Sequence, residues 1–149
     1  MTIIAMLAVM ATQPNPLLPP PWVQGDLSTK GMYAKYGRLE PDGTYSTLSA
    51  TKNVCDCKVS ELQADWIKGL TAPGVTIKRD TQAICGVDAA HIVAIGVATS
   101  SDKTTQNNDA FIFRQGPAAY IMQYRFRYPQ PHPDDEKALS ALCPTPSGS

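Results

Sequence analysis

Two cysteines separated by a single residue are the most chemically suggestive feature of this sequence. Cys55 and Cys57 stand in the stretch TKNVCDCKVSE, directly before a segment with helical periodicity. Thiols at this spacing can form a redox pair, supply half of a metal site, or anchor two separate disulfides. Lys52, Lys58 and a helix N-terminus would lower the pKa of either thiol, whereas Asp56 between them would raise it. The spacing therefore leaves three chemistries to weigh.

The four cysteines of the chain form an even set, which favours two disulfides in an exported protein. A helix that starts near Ser60 leads away from the Cys-Asp-Cys motif, and the strand after it returns alongside, so we expect Cys85 near the start of that helix. We therefore predict that one of Cys55 and Cys57 bonds to Cys85 and the other to Cys143. A bond between Cys55 and Cys57 would close a very small ring, which tends to be strained and easily reduced.

Other chemistries have less support in the residue pattern. Four thiolates, with His91 or His132 replacing one, could hold a structural zinc ion, but two of the cysteines stand alone rather than in knuckles. The sequence contains no Gly-x-Ser-x-Gly elbow, phosphate loop or dinucleotide fingerprint. Asp134 and Asp135 are better explained as charges at a helix N-terminus than as a glycosidase pair. We predict no catalytic residue, metal site or cofactor, and the balance of these observations is against an enzyme.

Three arginines form the best candidate surface for recognition. In PAAYIMQYRFRY, strand alternation places Arg125 and Arg127 on the face opposite the tyrosines, and Arg114 on the neighbouring strand could share that face. Basic and acidic residues number 13 each, so no net positive charge attracts nucleic acid. We predict that Arg114, Arg125 and Arg127 bind an acidic partner, an unidentified protein or small ligand, and that nucleic acid is not bound.

The sequence pattern also predicts the helices and strands that position these residues. Two β-rich stretches flank the turn Pro41-Asp42-Gly43, a helix is predicted over about 58–71, about four strands follow, and a helix over about 133–142 ends the pattern. The polar stretch SSDKTTQNND is predicted to be a solvated loop. Strands joined by short turns favour an α+β domain in which the two helices pack on an antiparallel β-sheet.

The N-terminal sequence indicates export. MTIIAMLAVMATQ contains an apolar run about half as long as the ~20 residues of a membrane-spanning helix, and small residues precede a cleavage position after Ala11. We predict a signal peptide over 1–11, a Pro-rich linker over 12–23 and a single domain over 24–149. The mature chain is expected to have no transmembrane segment and to lie outside the cytoplasm, in a periplasm or secreted.

Three stretches carry a resemblance to a known family. ICGVDAAHIVAIGVA, GPAAYIMQYRF and HPDDEKALSALC resemble strands and the closing helix of the PsbP/Mog1-like α/β-sandwich family, including its small exported bacterial members of the LpqN type. The resemblance covers about Lys58 to Cys143. It implies a mostly non-catalytic exported module that binds proteins or small ligands, and it supplies no catalytic residue.

These observations together predict an exported, disulfide-stabilised binding or interaction module of the cell envelope or secretome. Two alternatives remain open. One is a small thiol–disulfide or metal-dependent enzyme centred on Cys55 and Cys57, and the other is a structural envelope protein.

Overall fold

Seven β-strands and two short helices form the part of the chain described by the computed structural model, which comprises residues 17–99, 104–127 and 134–145. The elements in chain order are β1 (Val23–Gln24), β2 (Met32–Leu39), β3 (Tyr45–Val54), α1 (Val59–Leu70), β4 (Thr76–Ile84), β5 (Val87–Ala98), β6 (Thr105–Gln115), β7 (Ala118–Phe126) and α2 (Asp135–Ser140).

All seven strands pair antiparallel in one sheet, in the order β1-β2-β3-β7-β6-β5-β4. The predicted turn at Pro41-Asp42-Gly43 joins β2 to β3. Gly43 has φ of +85°, a value that glycine adopts without a steric penalty, and the Asp42 carboxylate accepts hydrogen bonds from the backbone N–H and hydroxyl of Thr44. The last strand, β7, lies between β3 and β6 and so occupies the middle of the sheet.

The predicted α+β class, with helices over about 58–71 and about 133–142 packed on the sheet, is wrong: the sheet dominates the fold. The first helix forms as α1, but α2 has only six residues, and α1 fully buries none of its side chains. Part of the stretch predicted as a loop, residues 105–109, instead belongs to β6. Its polar side chains favour a loop, yet pairing with β5 and β7 supplies the backbone hydrogen bonds that a strand needs.

The two faces of the sheet are covered differently. One face, here called the helix face, carries α1 against β5 and β6, and the Trp66 Nε1–H donates to Gln123 Oε1 over 3.3 Å. Beneath α1 the sheet is lined with small and branched apolar side chains that are fully buried, namely Ile92, Ala94, Ala110 and Ile112. The opposite face, here called the core face, holds most of the hydrophobic core, including Leu48, Phe113 and Met122.

Chain ends rather than a long helix close the core face. Leu18 and Trp22 are buried there, and the Tyr36 hydroxyl accepts a hydrogen bond of 2.8 Å from the Leu17 N–H. At the other end of the chain Leu139 and Leu142 are buried. Within the predicted linker, residues 17–22 therefore pack on the sheet. The predicted signal peptide over 1–11 lies outside the described residues, and the domain boundaries stay predictions.

Candidate functional site

The four cysteines form two disulfides, Cys55–Cys57 and Cys85–Cys143, with Cα–Cα distances of 5.2 and 5.4 Å. The predicted cross-pairing with Cys85 is therefore wrong. Cys85 does return to the end of the sheet where β3 ends, but three strands lie between β3 and β4, a separation of about 19 Å at the usual strand spacing. Disulfides require Cα atoms within about 7 Å.

The Cys55–Cys57 pair belongs to a short loop between β3 and α1, on the helix face. Arg114 Nη1 donates hydrogen bonds of 2.8 Å to the carbonyl oxygens of both cysteines. Both cysteines are half-buried, while Asp56 between them is exposed. One guanidinium on β6 thus holds the two ends of the Cys-Asp-Cys loop.

The Cys85–Cys143 pair lies on the core face. Cys85 Sγ is 3.6 Å from Sδ of Met122, which is fully buried, and Cys143 follows α2. The Tyr33 hydroxyl donates to the Leu142 carbonyl over 2.7 Å beside this disulfide. The bond therefore ties the chain after α2 to the turn between β4 and β5.

The three predicted recognition arginines do not form one patch. Arg114 and Arg125 both point to the helix face, but Arg125 pairs with Asn108, six residues along β6 from Arg114, about 20 Å away. Arg114 contacts the cysteine loop at one end of the sheet. Arg125 and Arg127 lie together at the other end, where they line a cleft of about 590 Å³.

We call this site the arginine cleft. Its walls come from the β2–β3 turn, the end of α1, the end of β5 and the paired ends of β6 and β7. They comprise Gly43, Thr44, Tyr45, Leu70, Val97, Ala98, Thr99, Gln106, Asn108, Arg125 and Arg127.

Positive charge in the arginine cleft is incompletely balanced. Arg125 is exposed and forms no ion pair with any described carboxylate. Near the rim, hydrogen bonds from Thr44 lower the pKa of Asp42, and the positive charge of Arg127 lowers it further. Asp42 therefore stays ionised close to Arg127, while the Arg125 guanidinium is left for a ligand.

Asn108 adds an unusual polar group to the same cleft. It is 2% exposed, and among the described residues its Oδ1 has no hydrogen-bond partner. A buried acceptor without a donor costs about 1–3 kcal/mol, so this side chain has unused binding capacity. Asn108 is not among the predicted site residues, because its polar stretch favours a loop. The available signal was its two-residue spacing from Ala110 and Ile112, which share its face.

His91 lies between two carboxylates on the core face. Its Nδ1 is 2.6 Å from Asp80 Oδ1 on β4, and its Nε2 is 3.6 Å from Asp109 Oδ2 on β6. The ring stacks on Phe111, with centroids 4.5 Å apart. Burial lowers the pKa of His91, but the carboxylates of Asp109 and Asp80 outweigh burial and raise the pKa above its ordinary value.

The cavity beside His91 contains no nucleophilic hydroxyl or thiol among the described residues. This small cavity, about 120 Å³, is lined by Gln82, Asp109, Phe111, Tyr124, Glu136 and Leu139, none of which is a serine, cysteine or threonine nucleophile. Over residues 17–99, 104–127 and 134–145, no group of three or more His, Cys, Asp and Glu side chains is arranged to hold a metal ion. His132 lies outside the described residues. His91 is thus an ion-paired residue of the sheet.

A groove of about 830 Å³ lies between the Pro19-Pro20-Pro21 segment and α2. Its one arginine, Arg38, forms ion pairs with Glu40 and Asp135, and the exposed Asp134 and Lys137 also line it. The guanidinium also lies 4.4 Å above the ring of Trp22. The Arg38 guanidinium in this groove is therefore already paired, whereas Arg125 in the arginine cleft forms no ion pair with a described carboxylate.

Comparisons with known proteins give a partial likeness among solved structures. No family model and no curated protein matches the chain. Among solved structures, the chain is similar to LpqN, involved in cell envelope biogenesis of Mycobacterium tuberculosis, at 15% identity and a TM-score of 0.47, covering 72% of this chain and 66% of that chain. The matched part is thus just under two thirds of LpqN. Membership of the PsbP/Mog1-like family is not shown, and neither described helix is long and apolar enough to cross a membrane.

Proposed function

We propose that this protein is an exported, disulfide-stabilised binding module that recognises an acidic peptide segment of a partner protein in the arginine cleft. The observation that carries the proposal is the meeting of Arg125, Arg127 and Asn108 in one cleft. Guanidinium groups bind carboxylates with charge-assisted, often bidentate hydrogen bonds.

Asn108 narrows the class of ligand. Its buried Oδ1 calls for an N–H or O–H donor, while Arg125 calls for an anion. A peptide with Asp or Glu side chains offers both, because each backbone amide is a donor beside the carboxylates. A simple inorganic anion would leave Asn108 Oδ1 without a donor.

The disulfides support export. All four cysteines are bonded, and such bonds persist mainly in oxidising compartments outside the cytoplasm. With every thiol consumed, the metal-dependent form of the enzyme alternative loses its ligands. We therefore propose an extracytoplasmic location, periplasmic or secreted, in which the binding domain acts.

A charge-reversal experiment tests the binding proposal. We expect an eight-residue Glu- and Asp-rich peptide, followed by fluorescence anisotropy, to bind the wild-type protein, and Arg125→Glu to weaken binding about tenfold or more, the effect of losing a hydrogen bond to a charged group. Arg79→Glu is the matched control, because Arg79 is exposed on β4, outside the cleft. Equal weakening by both variants, or unchanged binding by Arg125→Glu, would contradict the proposal.

A further inference from the structure

The Cys55–Cys57 disulfide contributes little to holding the fold together. It joins residues only two positions apart, whereas Cys85 and Cys143 are 58 positions apart. A bond that closes so short a loop restricts the unfolded chain very little. The loop is moreover held by the hydrogen bonds from Arg114 to both cysteine carbonyls, so it keeps an anchor when the S–S bond is broken.

All four cysteines are half-buried, but the residues around the two disulfides differ in exposure. The neighbours of the Cys55–Cys57 disulfide, Asp56 and Lys58, are exposed, and Val54 before it is 74% exposed. Cys85, in contrast, packs against the fully buried Met122. The residues around Cys55 and Cys57 are thus open to solvent, while Cys143 of the other disulfide borders a groove of about 620 Å³.

The surroundings of the loop favour thiolate over thiol. Arg114 is half-buried and forms no ion pair with a carboxylate in the described part of the chain, so its positive charge next to the loop is not neutralised. Lys58 adds a second positive charge, and α1, which begins at Val59, directs its N-terminal amides toward the same end. Asp56 is the opposing negative charge; Asp56 and Lys58 are both exposed to water, which weakens the effect of each, so the half-buried Arg114 is the main charge beside the loop. Low thiol pKa values speed departure in thiol–disulfide exchange.

We propose that Cys55–Cys57 is a redox-active disulfide that oxidises the dithiol of a partner, with Arg114 as its positioning residue. A partner thiolate attacks one of the two sulfur atoms, the Cys55–Cys57 bond breaks, and a mixed disulfide forms as the other cysteine leaves as a thiolate. The second partner thiolate then attacks the mixed disulfide. Two electrons and two protons pass from the partner to Cys55 and Cys57, and the partner ends as a disulfide. This activity rests on residues separate from the arginine cleft.

The test uses dihydrolipoamide, a small dithiol, mixed in equal amount with the oxidised full chain at pH 7 without oxygen. Thiols are then alkylated and located by peptide mass. We expect Cys55 and Cys57 to be alkylated while Cys85 and Cys143 stay bonded, and the Cys55→Ser/Cys57→Ser variant to consume no dithiol. Failure to reduce the pair, or reduction of both disulfides at equal rates, would overturn the proposal.

Arg114 is tested by its effect on the thiols rather than on the fold. We expect Arg114→Gln to slow the exchange about threefold, as for a leaving thiol whose pKa rises by about one unit, and to shift the pH profile of alkylation of the reduced pair upward. Arg114→Lys should restore part of both. If Arg114→Gln leaves the pH profile unchanged, Arg114 has only a structural role, and its assignment as the positioning residue of the disulfide is wrong.

Discussion

Arg38 on β2 and Asp135 at the start of α2 form a two-pronged ion pair, with Nη1–Oδ1 and Nη2–Oδ2 distances of 2.6 and 2.9 Å. They are 97 positions apart in the sequence, and Asp135 is completely buried. The Tyr124 hydroxyl donates a further hydrogen bond to Asp135 Oδ2. The hydrogen bonds with Asp135 raise the pKa of Arg38, and burial, with the hydrogen bond to Asp135, raises that of Tyr124, so both keep their protons at neutral pH.

Because Asp135 forms this ion pair, the substitution Asp135→Asn should strongly lower the free energy of unfolding. Removing one partner of a buried ion pair leaves an uncompensated charge and costs about 3–5 kcal/mol. Urea unfolding followed by tryptophan fluorescence measures the change in the free energy of unfolding. Glu136→Gln, at the next and exposed position of α2, is the control and should change it by less than about 0.5 kcal/mol. Similar losses in the two variants would show that Asp135 does not anchor α2.

The two disulfides should differ in their effect on stability. In the chain-entropy model, replacing Cys85 and Cys143 by serine costs about 4 kcal/mol, and replacing Cys55 and Cys57 costs about 1.6 kcal/mol. The longer loop closed by Cys85–Cys143 is the reason for the difference. Urea unfolding of both double variants measures it. A loss at Cys55/Cys57 as large as that at Cys85/Cys143 would mean that the short disulfide has a structural role.

Stability should decrease as the pH rises above neutrality, because of His91. Its pKa is raised in the folded state, so folding favours the protonated ring. This stabilisation is complete below the ordinary value of about 6.5 and is lost as the pH rises through the folded pKa. Asp80 and Asp109 face the ring as carboxylates, and Glu136 and Tyr124 line the same cavity.

Thermal unfolding from about pH 6 to about pH 9 tests this expectation. The wild-type melting temperature should fall over this range, and His91→Gln should remove most of the dependence. Asp80→Asn should reduce it while leaving the ring in place. An identical pH dependence in wild type and His91→Gln would assign the titration to another group.

The segment between Leu17 and Trp22 should be part of the folded unit. A chain that starts at residue 23 should be less stable than one that starts at residue 17, because it loses the buried Leu18 and Trp22 side chains. Trp22→Ala alone should cost about 3–5 kcal/mol, the usual effect of truncating a buried aromatic side chain. Equal stability of the two shortened chains would show that residues 17–22 belong to a linker and not to the folded unit.

Local features of the fold were readable from the sequence because they depend on neighbouring residues. Alternation along β7 predicted that Tyr120, Met122, Tyr124 and Phe126 share one face, and all four are buried on the core face. The turn at Pro41-Asp42-Gly43 and the helix near 58–71 rest on equally local signals. The even number of cysteines predicted two disulfides without specifying their partners.

The order of strands could not be read in this way, and the candidate sites depend on it. Placing β7 between β3 and β6 keeps Cys57 away from Cys85. The register of the β6–β7 hairpin separates Arg114 from Arg125, because Arg125 pairs with Asn108. Pairing of β5 with both β4 and β6 brings Asp80 and Asp109 to His91.

The sequence by itself determined the local helices and strands, which side chains share a face of a strand, and which thiols and charged groups are present. Only the tertiary structure decided which thiols bond, which arginines share a cleft and that the chain ends cover the core face. The physical reason is that a strand's alternation depends on its own residues, whereas its neighbours in the sheet depend on the burial and pairing of every other strand at once.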